Sequence, residues 1–255
     1  MTRSILILGG TADARILAGR LVKDSGHRIL LSMAGRTKNP VEQPVPVRIG
    51  GFGGAEGLAN FLRSEGFDLL VDATHPYAAR ISANAVHAAK SAGVPLVTLA
   101  RPAWVPIQGD NWNAVADVED AVSTLGAEPK NAFLALGRQE LLPFEAAPQH
   151  AYLIRSVDPV EPPLSVPQAR YITARGPFAL NDEIAMLNDN GIDVIVSKNS
   201  GGKAAYGKIE AARVLHIPVI MIDRPPLSDG DTVPDIETAL AAIRHQLSLL
   251  ENRGE

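Results

Sequence analysis

The chain has 255 residues, 46% of them hydrophobic and 20% charged, enough to bury one large core or two modest ones. Its formal net charge of −4 argues against a general nucleic-acid-binding surface, and the lack of cysteine excludes a disulfide framework, a thiolate metal site and a cysteine nucleophile. No apolar run reaches the ~18 residues of a bilayer span, and Gly9 and Gly10 interrupt the apolar start too early for a signal peptide, so the expectation is a cytoplasmic protein without membrane contact.

Short runs of Val, Ile and Leu alternate with longer Ala-rich helical stretches, the pattern of buried parallel strands joined by crossover helices. In the first half the runs place strands at 4–8, 28–33, 45–49, 69–72 and 96–99. The segment 102–112 carries Pro102, Pro106 and Gly109 and reads as a domain connection. Beyond it, strands are expected at 132–136, 152–154, 171–173, 194–197 and 219–222. A closing helix at 236–250 keeps an apolar stripe through Leu240, Ile243, Leu247 and Leu250. The expected fold is α/β: two Rossmann-like, doubly wound parallel-sheet domains, 1–102 and 103–255, with a cleft between them.

An internal echo supports two related halves. AAKSAGVPLVTLARP from Ala88 and AARVLHIPVIMIDRP from Ala211 share Ala, Ala, Pro, Arg and Pro in register, and each follows another apolar strand and polar turn. The same composition also arises in any helix-strand unit of an α/β protein.

In SILILGGTADARILAGRL a strand enters Gly9-Gly10-Thr11 and then a helix beginning near Ala12. Glycine lets the backbone approach a diphosphate, and the helix N-terminus stabilises its charge; a hydroxyl from Thr11 can donate as well. A plain βα turn would look similar, because the full G-x-G-x-x-G spacing is absent. After the second strand, where NAD-binding folds carry an acid for the ribose hydroxyl, stand Ser32, Arg36, Thr37 and Lys38 with no carboxylate. Arg36 suits a 2′-phosphate, so the cofactor expected is NADPH.

Basic residues follow almost every expected strand at its carboxyl end: Arg36, Arg101, Arg138, Arg155, Arg175, Lys198 and Arg224. Ligands of open α/β sheets bind on that edge, which points to a polyanion, although Arg101 and Arg224 are also placed to pair with acidic neighbours. Two polar turns stand out there. Asp72-Ala73-Thr74-His75-Pro76-Tyr77 opens a helix, with Pro76 suited to its first position and Thr74 or His75 to its cap. Alternatively Thr74, His75 and Tyr77 serve a ligand as donors, His75 or Tyr77 as the proton source. Lys198-Asn199-Ser200-Gly201-Gly202 offers backbone N–H groups and an amine for a second anion nest, and these residues are expected to bind the cofactor too. The six histidines are scattered, so no metal site is expected.

ILILGGTADAR, DATHPYAARIS, and SKNSGG followed by KIEAARVLHIPVIMIDRP occur in this order across nearly the whole chain. Together they resemble the signature regions of the precorrin-6A reductases of cobalamin biosynthesis. The resemblance implies reduction of one double bond of the precorrin-6A macrocycle by NADPH, giving precorrin-6B without metal or flavin. The partner is then a polycarboxylate tetrapyrrole, for whose carboxylates Arg80, Arg138, Arg155 and Arg175 are candidate anchors. A nucleotide-sensing domain without catalysis and a glycosyltransferase-like two-domain enzyme are the competing readings.

Overall fold

A strand covered by helices on both faces loses polar alternation, and one at a sheet edge keeps it. The computed structural model describes residues 2–24, 26–35, 40–226 and 232–252, and its strands divide on this rule. In the first unit β1 (Ser4–Leu8) and β4 (Leu69–Asp72) are buried almost throughout, flanked by β2 (Arg28–Met33) and β5 (Leu96–Leu99), while the edge strand β3 (Val47–Ile49) is largely exposed. Pairing is parallel throughout, in the order β12-β5-β4-β1-β2-β3, where β12 is Thr232–Val233.

Successive residues of β1 point to opposite faces. Ile5 and Ile7 meet Leu17 and Leu21 of α1 (Ala12–Asp24) and Leu240, Ile243 and Leu247 of α7 (Ile236–Glu251). Leu6 and Leu8 meet Leu58 and Leu62 of α2 (Ala55–Ser64) and the alanines of α3 (Ala79–Ala92). Helices therefore cover both faces, as the doubly wound expectation requires.

The second unit comprises Ala103–Arg224. Its sheet runs β6-β11-β10-β7-β8-β9 and is again all parallel: β6 (Trp112–Val115), β7 (Asn131–Ala135), β8 (Ala151–Ser156), β9 (Ala169–Thr173), β10 (Val194–Lys198) and β11 (Val219–Ile222). α5 (Leu180–Asp189) and α6 (Gly207–Leu215) bury Leu187, Ile209, Ala211 and Ala212 against Phe133, Leu153, Ile195, Val219 and Met221.

The expected boundary at residue 102 coincides with the break between units, but the expected membership of the C-terminal segment needs correction. Described residues from Pro225 onward belong to the first unit. β12 (Thr232–Val233) pairs with β5 and the apolar stripe of α7 packs beside α1, so the burial of that stripe decides where the segment goes. Five strands fall at the expected bounds. β6 and β12 were not expected, since one is mostly exposed and the other is two residues long.

The echo extends to single hydrogen bonds. Asp68, opening β4, accepts the backbone N–H of Ser4 (2.8 Å) at the start of β1, and Asp193 does the same for Asn131 (2.7 Å) at the start of β7. After Pro102 the chain forms β6 and then α4 (Val118–Leu125), capped by Asp117 on Asp120 N–H; after Pro225 it forms β12 and then α7, capped by Asp235 on Thr238 N–H. Each sheet thus takes its sixth strand from the chain segment that follows the fifth strand of the other.

Candidate functional site

In an open parallel sheet, loops leave opposite faces where the strand order reverses, and a crevice opens at the carboxyl ends of those strands. In the first unit the reversal lies between β1 and β4. β1 runs into Gly9, whose N–H donates to Ser32 O (2.9 Å). A Cβ on Gly9 would lie 2.6 Å from Leu31 Cδ1 and 3.1 Å from Ala14 Cβ, so any side chain there must displace the end of buried Leu31. Gly10 has φ +107°, a conformation disfavoured for side-chain-bearing residues. Thr11 Oγ1 accepts from Ala14 N–H (3.1 Å), which caps α1, and donates to Ala73 O (2.8 Å). That bond and Ala73 N–H to Leu8 O (2.9 Å) lock the turns after β1 and β4 together.

The expected donor role of the Thr11 hydroxyl is therefore corrected: its proton is committed to Ala73. A ligand is instead offered the first-turn N–H groups of α1 around the exposed Gly10 and Ala12. Asp13, in that turn, is paired with Arg101 (2.5 Å), so its charge does not cancel the positive helix end.

Asp72 is buried at the end of β4, and its Oδ1 accepts from both Thr74 N–H (3.0 Å) and Thr74 Oγ1 (2.7 Å). The expected start of α3 at Pro76, capped by Thr74 or His75, gives way to a start at Ala79 after Ala78. The cause is local: Asp72 takes both Thr74 donors, and His75 O accepts Ala78 N–H (2.7 Å), inserting a turn before the helix. His75 and Tyr77 are half-buried with ring centroids 5.7 Å apart. Tyr77 N–H donates to His75 Nδ1 (3.4 Å), which leaves the proton of a neutral imidazole on Nε2.

The second unit reverses its order between β7 and β10. Here too a side chain spans the two turns: Lys198 pairs with Glu140, whose other oxygen accepts Gly137 N–H (2.9 Å) after β7. Asn199 accepts Trp104 N–H through Oδ1 (2.7 Å) and donates through Nδ2 to Trp104 O (2.9 Å), while its carbonyl accepts Arg224 Nε–H (2.7 Å). Its side chain thus anchors the start of the unit. Gly201 (φ +71°) follows Ser200, whose N–H turns back to Lys198 O (2.9 Å).

Residues 4–244 match the family described as precorrin-6x reductase CbiJ/CobK. The chain belongs to this family. A precorrin-6A reductase of Sinorhizobium sp is 57% identical over 244 residues, covering 96% of this chain and 94% of that protein. One of Rhodobacter capsulatus is 48% identical over 93% of this chain and 94% of its own. The solved structure of CobK precorrin-6A reductase superposes with a TM-score of 0.92 at 46% identity, covering 96% of this chain and 97% of that one. The resemblance read from the three sequence motifs is borne out, as is the fold of two parallel α/β sheets.

In this member of the family, the expected residues Gly9, Gly10, Thr11, Ala12, Ser32, Thr74, His75 and Tyr77 gather at the carboxyl edge of the first sheet. Arg36, Thr37 and Lys38 lie outside the described residues. Arg155 is corrected outright. It is buried, holds both carboxylate oxygens of Glu183, and lies 3.7 Å from the Phe178 ring centroid, so it is no surface anchor. Arg80 and Arg175 are exposed, and Arg138 is half-buried with Nη1 3.5 Å from Pro159 O. Sequence reasoning missed Asp72, Glu140 and the buried pair Glu183 and Lys208. Glu140 three residues after Gly137 carries a capping signal, and extending the echo by three residues would have aligned Lys208 with the buried Ala85.

Among the described residues no helix is long and apolar enough to cross a membrane.

Proposed function

We propose that the chain catalyses reduction of one double bond of precorrin-6A by NADPH, yielding precorrin-6B in cobalamin biosynthesis. The observation that carries the reading is the first unit's turn at the reversal of strand order, where Gly10 holds a positive φ at the start of α1 and a Cβ on Gly9 would crowd Leu31. Such a turn brings backbone N–H groups and a helix end to a diphosphate. Gly10, Thr11 and Ala12 hold it through their backbone N–H groups, and Gly9, its own N–H bonded to Ser32 O, shapes the turn; Arg36, with Thr37 and Lys38, selects the 2′-phosphate. When bound, NADPH supplies a hydride for one carbon of the macrocycle double bond.

The neighbouring carbon then needs a proton. His75, at the carboxyl edge of the first sheet beside Tyr77, supplies it as imidazolium. Tyr77 packs beside that ring and orients it. Arg80, Arg138 and Arg175 hold substrate carboxylates, and the backbone N–H groups of Gly201 and Gly202 form a second anion-binding turn, whose start is fixed by Ser200 N–H on Lys198 O and by Lys198 on Glu140. Positioning by these groups supplies most of the catalysis.

The test is titration of the protein with NADPH and NADH alongside Arg36→Ala. The wild type should prefer NADPH, and the variant should lose affinity by roughly 10- to 100-fold, the value of a charge-assisted contact, toward the level of NADH. Failure to bind either nucleotide would sink the reading.

A further inference from the structure

Lys208 lies in the first turn of α6 with 4% of its surface exposed. Three effects oppose an ammonium there: loss of water, the Arg155 guanidinium on β8, and the positive end of α6 itself. Glu183 on α5 favours the charge, but Arg155 already holds both of its oxygens. Burial, the largest cause, pulls the amine from its usual 10.5 down to about 7.

Packing does not require a lysine. Lys208 stands three residues before Ala211-Ala212, where the first unit has Ala85 three before Ala88-Ala89, and Ala85 is fully buried. What the lysine adds is a hydrogen bond to Ala205 O (2.8 Å). That carbonyl belongs to the 3₁₀ turn Lys203–Ala205, which follows Gly201-Gly202 directly. Ala205 N–H donates to Gly202 O (3.3 Å), and Ala204 O accepts Phe178 N–H (3.2 Å), Phe178 being the ring stacked on Arg155. Gly207 completes the seat: a Cβ there would lie 2.6 Å from Phe178 O.

We infer that Lys208 is a positioning residue, which by holding the Ala205 carbonyl sets the geometry of the 198–202 turn. The inference rests on the reading of that turn as part of the ligand site. The charged groups acting on the amine are Arg155 and Glu183.

The experiment is amide hydrogen exchange over 198–206 in the full-length wild type and in Lys208→Met, on each side of about pH 7, normalised to a peptide from the first unit. Steady-state kinetics with NADPH and precorrin-6A accompany it over the same range. Lys208→Met should exchange faster in this segment and raise the KM of the anionic ligand that the turn holds, NADPH or precorrin-6A, on the order of tenfold. Exchange and KM profiles matching wild type on both sides of neutrality overturn the inference. If Lys208→Met does not fold, Lys208→Ala, the residue that fills the matching buried position Ala85, takes its place with the same supporting and overturning results. A wild type that leaves precorrin-6A unreduced removes the proposed function, while the exchange result still decides the role of Lys208.

Discussion

Arg155 and Arg175 look alike in the sequence, each near the carboxyl end of a strand, yet their surroundings assign them opposite tasks. Removing the Arg155 guanidinium leaves the buried Glu183 carboxylate without its partner, so Arg155→Ala should cost about 3–5 kcal/mol in denaturant unfolding. Arg175→Ala, at an exposed site, should stay within about 0.5 kcal/mol while weakening substrate binding. Equal losses of stability would contradict the division. Lys208 makes a pH prediction. Its amine titrates at 10.5 unfolded but about 7 folded, so between those values the unfolded chain binds more protons and stability rises with pH. Below about 7 both states hold the proton and the cost of the buried ammonium is fully present. Denaturant unfolding should show wild type gaining on Lys208→Met as pH climbs through that window; a constant difference would refute it. At the first unit's turn, His75→Gln should lower kcat on the order of 100-fold and Tyr77→Phe by no more than a few-fold, whereas the reverse pattern would make Tyr77 the acid. The glycine turn was legible because glycine itself is the signal. Asn199 and Arg155 were not, since what redirects them is a partner far away in the chain: Trp104 for one, Glu183 for the other.

At the scale of elements, strands buried on both faces write themselves as unbroken Val, Ile and Leu runs, and β1, β2, β4, β5 and β11 fall where those runs lie. Edge strands carry no such run. Trp112-Asn113-Ala114-Val115 is mostly exposed and Thr232–Val233 is too short to register, so both crossings between sheets were illegible and α7 was assigned to the wrong half. The apolar stripe of α7 was read correctly, but a stripe does not name the sheet it covers. Ile243 is fully buried among first-unit residues, so Ile243→Ala should cost about 2–5 kcal/mol and weaken NADPH binding, although the helix lies over 200 residues along the chain from Gly9. Unaltered nucleotide affinity in a measurably destabilised variant would separate α7 from the cofactor site.

At the scale of the whole molecule, the two sheets share one strand order, one Asp contact at the start of the fourth strand and one capped helix after the crossing strand. The two units differ at the reversal point: Gly9-Gly10-Thr11 before a full helix in the first, and in the second Lys198 paired with Glu140, which also accepts Gly137 N–H. The first keeps the backbone chemistry that suits a diphosphate, and the second supplies paired charge and a glycine turn. Family membership over residues 4–244 joins this division to reduction of a macrocycle. The most direct test is single-turnover reduction of precorrin-6A with NADPH doubly deuterated at the nicotinamide C4, in wild type and in Gly10→Val, whose side chain the positive φ disfavours. The account predicts a single deuteron carried into the reduced macrocycle by the wild type and none by the variant, with NADPH binding lost; a wild-type product free of deuterium, or undiminished transfer in Gly10→Val, would contradict it.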